Sequence, residues 1–264
     1  MKIVRFMVEA ESRYGQLDED TVKVIKGNIF AEYQVTDQTY PLGDCKLLPP
    51  CQPSKIFGVG LNYRDLDHYI VKGNPYPDIP GVFMIPPTGL IGQNDEIVYP
   101  AGLEFTLYEV ELGVVMGKTA KSVKAAEALD YVFGYTCFND ISGYALPGVF
   151  AKGADTFSPM GPCIATDLDP ADLALKTWVN GEIKQDSTTA QLLFTVPQII
   201  EFITQYVTLL PGDVITTGSP VGVGELYVGD TVEIFVEGVG ALKNIVVGGA
   251  AGTTGIRTHS DNGG

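Results

Sequence analysis

Histidine, tryptophan and positive charge are scarce in this sequence. Its 264 residues include 2 His, 1 Trp and 17 Lys or Arg against 32 Asp or Glu, which gives a net charge of −15. With two histidines and no G-x-S-x-G motif, the chain has little material for a Ser-His-Asp triad. The negative charge leaves no basic stripe for phosphates, so we expect no nucleic-acid partner.

Cysteine pairs and long apolar runs are also absent. Cys45, Cys51, Cys137 and Cys163 form no C-x-x-C pair and no zinc-ligand spacing, so we expect thiols that stay reduced inside a cell. The N-terminus has no apolar signal core, and no stretch approaches the roughly 20 apolar residues that span a bilayer. The sequence therefore predicts a soluble, cytoplasmic protein with no membrane partner.

What the sequence does contain is typical of an ordered chain rich in turns and strands. Hydrophobic residues make up 45% of it, alongside 31 Gly and 17 Pro. A proline-rich connector at 47–53 divides a small N-terminal domain, residues 1–50, from a larger domain, residues 51–264, whose tail from about residue 248 we expect to fray. The strands predicted in the first domain are 2–8, 21–26 and 28–32.

Two segments of the larger domain have helical periodicity. Residues 122–131 predict a helix with Ser122 as its N-cap. Residues 197–210 predict a second helix, with Pro197 in its first turn and Pro211 and Gly212 ending it. Strand patterns dominate the rest, at 56–63, 135–139, 175–179, 214–217, 231–236 and 242–247. The predicted fold class is α+β, mostly β.

Three acidic residues suggest a metal site. Glu109 and Glu111 stand two apart in a strand-like run, so both carboxylates point to one face, and Asp140 ends a later strand. The alternative is two solvent-facing strand residues and a turn-capping Asp. Leu107 and Val115 share the face with the glutamates, and carboxylates on an apolar face are tolerable mainly when a cation holds them ionised. Oxygen ligands without Cys or His favour Mg²⁺, Mn²⁺ or Ca²⁺ over Zn²⁺.

Two basic residues are candidates for chemistry beside that site. Lys152 lies next to a glycine in a loop, where it is either an ordinary solvated lysine or a point charge that reaches a substrate carboxylate. His68 lies in a segment, residues 65–78, that reads as a mobile lid. It is either an inert loop histidine or the one imidazole base that the chain offers.

A series of short motifs runs along the chain in order. They are GLNY at 60–63, YEVEL at 108–112, FNDIS at 138–142, AK at 151–152 with DTF at 155–157, GP at 161–162, NGE at 180–182, and LPGDVITTG at 210–218 with GVG at 222–224. Together they resemble the signatures of the fumarylacetoacetate hydrolase family, over residues 2–247. The resemblance implies a β-roll catalytic domain behind a small N-terminal α/β domain, in a homodimer.

The resemblance also implies which residues form the site. It assigns a divalent cation, Mg²⁺ or Mn²⁺ with Ca²⁺ as a further candidate, to Glu109, Glu111 and Asp140, and it places Lys152 beside the substrate as a catalytic residue. The residues expected to contact the substrate are Asn62, Tyr63, Tyr144, Thr217 and Gly218.

Several positions depart from the family pattern. Hydrolytic members follow the Asn-Tyr pair with a His and a Glu that activate water, and this chain has Leu66 and Tyr69 there. We therefore expect His68, two residues further on, to be the catalytic base if one is present. Ile85 and Tyr144 stand where the family has a Lys and an Arg that bind anionic groups of the substrate. These replacements predict a more apolar pocket.

These features lead to a functional hypothesis. Members of the family act on 2-oxo and 1,3-diketo acids, some of them in aromatic compound catabolism. We expect a metal-dependent enzyme that cleaves a C–C bond of a small 2-oxo acid through an enolate, as an acylpyruvate-type hydrolase or an oxaloacetate-type decarboxylase. The alternatives are a keto–enol or double-bond isomerase of the 2-hydroxymuconate type, and a catalytically silent binding protein of the same fold.

Overall fold

The computed structural model describes residues 1–66, 76–100, 103, 105–143, 146 and 148–249 of the chain. Strands dominate these residues, and helices are few and short, so the predicted α+β, mostly β class is confirmed. In the described part of the chain, no helix is long and apolar enough to cross a bilayer.

Within the described residues we number twenty strands in chain order. They are β1 (Lys2–Val8), β2 (Glu11–Asp18), β3 (Thr21–Gly27), β4 (Tyr33–Pro41), β5 (Lys46–Leu48), β6 (Ile56–Gly60), β7 (Gly81–Ile85), β8 (Leu90–Ile91), β9 (Glu96–Tyr99), β10 (Thr106–Tyr108), β11 (Val110–Met116), β12 (Val132–Asn139), β13 (Ser142–Gly143), β14 (Ser158–Ala165), β15 (Ala174–Val179), β16 (Glu182–Thr188), β17 (Val214–Thr216), β18 (Gly224–Leu226), β19 (Thr231–Val236) and β20 (Gly240–Gly248).

The helices in the described segments are α1 (Phe150–Gly153) and α2 (Val196–Tyr206), and the 3₁₀ turns there are Leu42–Asp44, Arg64–Leu66, Pro87–Gly89, Ala125–Tyr131 and Thr189–Gln191.

The described strands form three sheets. The largest has the order β4-β3-β2-β1-β14-β12-β11-β17-β6-β7, with β5 on β1 and β8 on β14. A second sheet has the order β16-β15-β19-β20-β9, and a third is β13-β10-β18. The carboxylate strand β11 therefore lies inside the largest sheet, between β12 and β17.

The N-terminal segment is a meander of strands joined to the rest through β1, which pairs antiparallel with β14. The expected α/β character of this segment is wrong, because residues 1–50 contain strands and one 3₁₀ turn. The predicted strand at 28–32 is also wrong. The Asn28 carboxamide accepts the Phe30 N–H, which makes a turn, and the chain continues into β4 instead. The domain boundary at residue 50 stays a prediction.

Both predicted helices differ from the observed ones. The first is a 3₁₀ turn, Ala125–Tyr131, and Ser122 is not its N-cap: its φ is 54° and its N–H donates to the Thr204 carbonyl. The second, α2, ends at Tyr206 rather than at residue 210. Leu209 forms a bridge with Ala120, so a tertiary backbone contact takes over from helical periodicity there.

The core covers both faces of β11. Val110, Leu112 and Val114 belong to the main hydrophobic cluster, whereas Val115 packs into a second cluster on the opposite face. Because side chains alternate along a strand, Glu111 shares the face of Val115. A glutamate is thereby carried into a fully buried part of the sheet.

Candidate metal centre

Three carboxylates converge where β10, β11 and β12 meet. One oxygen each of Glu109, Glu111 and Asp140 lies within 4.8 Å of the others. Backbone contacts fix the arrangement: the Asp140 N–H donates to the Glu109 carbonyl at 3.0 Å, and the Glu109 N–H donates to Asn139 Oδ1 at 3.0 Å. The register that pairs Val110 with Asn139 therefore places the acidic residues side by side.

Burial makes the charge at this site costly. Asp140 is 0% exposed and Glu111 is 2% exposed. Burial raises the pKa of Glu111 well above its ordinary value, and the charges of Asp140 and Glu109 raise it further. Burial likewise raises the pKa of Asp140 to about 7. Gly218 offsets part of this cost for Glu111 by donating its N–H to Oε2 at 2.7 Å.

Lys152 is the cation of the cluster. Its Nζ lies 2.7 Å from Glu109 Oε1 and 2.7 Å from Asp140 Oδ2, and 5.8 Å from the centre of the Phe83 ring. Burial alone would lower the pKa of Lys152, but the carboxylates outweigh burial and raise it, so the ammonium stays charged. The Ser142 hydroxyl donates to Glu109 Oε1 as well. The lysine predicted to be catalytic thus lies in contact with two of the three predicted ligands.

The donor set fits a divalent cation. Three carboxylates face one ammonium, so two negative charges remain without compensation when all are ionised. Asp140 Oδ1 is buried and finds no hydrogen-bond partner among the described residues. An orphaned buried carboxylate oxygen in an all-oxygen cluster is what a hard cation such as Mg²⁺ or Mn²⁺ would complete.

A pocket of about 550 Å³ opens onto the carboxylates. Its walls are mainly apolar and come from Val59, Leu61, Leu66, Phe83, Leu107, Val221 and Val223, with Ser219 as a polar neighbour. Leu66 lies in the wall at the position where the family motif has its histidine. Ile85, expected to shape the pocket, instead packs into the second core cluster, and Phe83 lines the pocket two residues earlier.

The described members of the predicted substrate contacts, Asn62, Tyr63, Thr217 and Gly218, do not themselves line the pocket. The Asn62 carboxamide is used by backbone groups: Nδ2 donates to the Phe194 and Thr217 carbonyls, and Oδ1 accepts the Phe194 N–H at 2.8 Å. Tyr63 and Thr217 are fully buried. Substrate contact by these residues stays a prediction, and the bond from Asn62 Nδ2 to the Thr217 carbonyl fixes the loop that follows β17.

Gly218 is required for close packing. Its φ is +93°, and a Cβ there would lie 2.8 Å from the Val59 carbonyl oxygen. A side chain at this position would push the loop off Glu111. His68 and Tyr144 lie outside the described residues, so their predicted roles stay predictions.

Sequence reasoning missed Gln185, Ser142 and Phe83. Ser142 is the last residue of the FNDIS motif at 138–142 and could have been found from it, whereas Gln185 and Phe83 lie on strands distant in sequence.

Comparison with known proteins agrees with this geometry. The sequence pattern described as "Fumarylacetoacetate (FAA) hydrolase C-terminal" matches residues 55–247. The chain belongs to the fumarylacetoacetate hydrolase family. A second pattern, "Rv2993c-like, N-terminal", matches residues 1–50.

Similar proteins are named for different activities. The 4-hydroxyphenylacetate degradation bifunctional isomerase/decarboxylase of Escherichia coli is 42% identical over 201 residues, which cover 73% of this chain and 46% of that protein. This chain therefore spans about half the length of that relative.

Two solved structures extend the comparison. 5-carboxymethyl-2-hydroxymuconate delta-isomerase from Mycobacterium smegmatis superposes with a TM-score of 0.87 at 39% identity, covering 94% of this chain and 100% of that one. Maleylpyruvate hydrolase from Sphingobium sp. SYK-6, in complex with manganese(II) ion and pyruvate, superposes with a TM-score of 0.81 at 31% identity, covering 95% and 100%. The family's structures thus include an isomerase and a hydrolase on one fold.

Proposed function

We propose that this protein is a divalent-metal-dependent enzyme that cleaves a C–C bond of a small 2-oxo acid through an enolate. The observation that carries the proposal is the buried cluster of Glu109, Glu111 and Asp140, whose charge Lys152 balances in part and whose Asp140 Oδ1 finds no partner among the described residues. The manganese ion named in the Sphingobium structure supports a cation of this kind. Mg²⁺ and Mn²⁺ both suit the oxygen ligands.

Each residue has a role in this proposal. The three carboxylates would hold the cation, which supplies Lewis-acid stabilisation of negative charge developing on the 2-oxo group. Lys152 carries a positive charge within reach of the same space, where it would orient the substrate carboxylate. The Gly218 N–H keeps Glu111 aimed at the site.

The apolar wall favours decarboxylation over hydrolysis. Lys152 is the one cationic side chain among the described residues that line the pocket, and none of those residues is a histidine. A second carboxylate held against Leu66 and Leu107 would lose hydration without gaining a counter-ion, which favours its departure as neutral CO₂. Hydrolysis would also need a base for water, and His68 is the residue that we propose for that role.

A keto–enol or double-bond isomerase is the second candidate. The similarity to the Mycobacterium smegmatis delta-isomerase favours it, because that structure has 39% identity and a TM-score of 0.87, against 31% and 0.81 for the Sphingobium hydrolase. An isomerase would also pass through an enolate, and it needs only a group that moves a proton between carbons. Because the Lys152 ammonium stays charged, the carboxylates at the site would have to move that proton.

The experiment is a substrate panel on the purified full-length chain. Oxaloacetate, acetylpyruvate and a 2-hydroxymuconate-type dienol are each assayed with Mg²⁺, with Mn²⁺ and with EDTA, and product CO₂, pyruvate and double-bond position are measured. We expect cation-dependent loss of CO₂ from oxaloacetate, and Glu109→Gln should abolish it. Faster turnover of the dienol would select the isomerase, and acetylpyruvate cleavage that His68→Ala removes would select the hydrolase.

A silent binding protein is the rival from another class. Leu66 in the place of the family's histidine motivates it. Turnover of each substrate no faster than with free Mn²⁺ alone would establish this rival and reject the enzyme. A homodimer remains part of the proposal and is checked by the mass of the protein in solution.

A further inference from the structure

Gln185 is a buried amide that none of the site residues above accounts for. It lies in the middle of β16 and is 1% exposed. Its Oε1 accepts the Val110 N–H at 3.1 Å and the Thr177 hydroxyl at 2.8 Å. Its Nε2 donates to Ser219 Oγ at 3.0 Å and to the Pro220 carbonyl at 3.0 Å. Both donors and both acceptor positions of the amide are therefore in use.

The orientation of this amide is fixed by its partners. The Val110 N–H can only donate, so it must meet Oε1, and the Pro220 carbonyl can only accept, so it must meet Nε2. A carboxylate or an apolar side chain of the same length cannot make all four bonds. The four bonds thus require an amide at this position, whereas a residue that only fills space in the core could be apolar.

The hydrogen-bond partners of Gln185 lie on the two segments that flank the carboxylate site, the start of β11 and the loop that follows β17. Val110 lies between Glu109 and Glu111 in the chain. The bond from its N–H to Gln185 therefore fixes the position of the segment that carries both carboxylates. Ser219 lines the pocket and follows Gly218, whose N–H holds Glu111. One side chain therefore joins the carboxylate strand to the loop that orients it.

The bond also crosses between sheets. β16 belongs to the five-stranded sheet, whereas β11 belongs to the largest sheet. Ser187, two residues further along β16, donates to Asp65 Oδ2 at 2.6 Å and so holds the turn that carries Leu66 into the pocket. Alternation along the strand places Gln185 and Ser187 on the same face, toward the site.

We propose that Gln185 is the positioning residue of this site: it keeps Glu109 and Glu111 at cation-binding spacing and holds the 218–221 loop against Glu111. The inference rests on the proposed function for its effect on turnover. Its effect on the loop rests on geometry alone. Outer partners that orient metal ligands change metal affinity by about 10- to 100-fold when removed.

The test compares Gln185→Met with Asn244→Leu. Asn244 is a matched control, because it is also a buried amide of the five-stranded sheet that bonds two loop carbonyls, those of Gly92 and Asp95. None of these contacts touches the carboxylates. Full-length wild type and variants are compared by hydrogen exchange of residues 216–222, by Mn²⁺ titration and by kcat and KM.

In Gln185→Met we expect faster exchange at 216–222 and Mn²⁺ affinity weaker by about tenfold or more, with a matching fall in kcat. Asn244→Leu should leave all three, the exchange at 216–222, the Mn²⁺ affinity and kcat, unchanged, even if it unfolds more easily. Wild-type exchange and wild-type Mn²⁺ affinity in folded Gln185→Met would overturn the inference. A wild type that binds no Mn²⁺ would reject the proposed function, and the exchange data would still decide whether Gln185 holds the loop.

A second variant covers the case in which Gln185→Met does not fold. Gln185→Glu keeps the acceptor for the Val110 N–H and loses the donors to Ser219 and Pro220. We expect faster exchange in the 218–221 loop with little change in the strand 110–116. Unchanged exchange in that loop would contradict the proposed role.

Discussion

Two lysine–carboxylate clusters with a buried aspartate lie in the part of the chain that the structure describes, and they are built differently. Asp213 is fully buried and pairs with Lys55. Its Oδ1 also accepts the Ser54 N–H, the Ser54 hydroxyl and the Lys55 N–H, and its Oδ2 accepts the Leu210 N–H at 2.7 Å. One negative charge meets one positive charge, and both oxygens are satisfied.

The cluster around Lys152 lacks both charge balance and a complete set of hydrogen bonds. Three carboxylates share one ammonium, and Asp140 Oδ1 lacks a partner in the described structure. A completed cluster holds a turn in place, whereas an incomplete one in a pocket has room and charge for a ligand. Charge balance within a few ångströms therefore separates a structural ion pair from a binding site in this chain.

The largest expected effect belongs to the incomplete cluster. Asp140→Asn removes one of the two uncompensated charges and replaces the oxygen that has no partner. Mn²⁺ affinity should fall by at least about 100-fold, and the thermal stabilisation that Mn²⁺ gives should disappear. Thermal unfolding with and without Mn²⁺ measures it. An undiminished Mn²⁺ shift would place the cation elsewhere.

Disrupting the Asp213–Lys55 cluster should lower the stability of the protein and leave Mn²⁺ binding unchanged. Asp213→Asn leaves Lys55 without its charge partner and puts an amide NH₂ against donors. We expect a loss of about 3–5 kcal/mol in the free energy of unfolding, because one charge of a buried pair is left alone. Urea unfolding at neutral pH measures this loss. The Mn²⁺ shift of the folded variant should match wild type, and a loss below about 1 kcal/mol would show that the pair is not structural.

Lys152→Met separates binding from turnover. Lys152 competes with the cation for Glu109 and Asp140, so removing it should tighten Mn²⁺ binding by about tenfold, or about 1.4 kcal/mol. Turnover should fall at the same time, because the substrate loses its positive partner. Calorimetric Mn²⁺ titration and a steady-state assay provide the two numbers. Weaker Mn²⁺ binding in this variant would mean that Lys152 supports the site instead of competing for it.

The smallest effect should come from Phe83. Its ring lies 5.8 Å from Lys152 Nζ, and a cation–π contact of this kind contributes about 0.5–1 kcal/mol. Phe83→Leu should lower the free energy of unfolding, measured without Mn²⁺, by that amount. It should leave Mn²⁺ affinity within about twofold of wild type. Urea unfolding measures the first quantity and Mn²⁺ titration the second. A large loss of affinity would show that Phe83 shapes the carboxylates directly.

The sequence was most informative where spacing alone determines geometry. Glu109 and Glu111 lie two apart in a strand-like run, and the FNDIS motif at 138–142, which contains Asp140, supplied the third member. Helix ends were less predictable: α2 stops at Tyr206 because Leu209 pairs with Ala120, and that partner is far away in sequence.

Gln185 could not be found from the sequence for the same reason. Its amide matters only because β16 is folded against β11, and local pattern says nothing of that approach. Leu66 differs from Gln185, because the motif that precedes it aligns it with the family's histidine, and the structure places it in the pocket wall.

The most direct measurement is a Mn²⁺ titration of the wild-type chain followed by electron paramagnetic resonance, with Asp213→Asn and Asp140→Asn beside it. The account predicts one saturable ion per chain in wild type and in Asp213→Asn, displaced by Mg²⁺, and none in Asp140→Asn. Absence of saturable Mn²⁺ in wild type, or equal binding by Asp140→Asn, would contradict it.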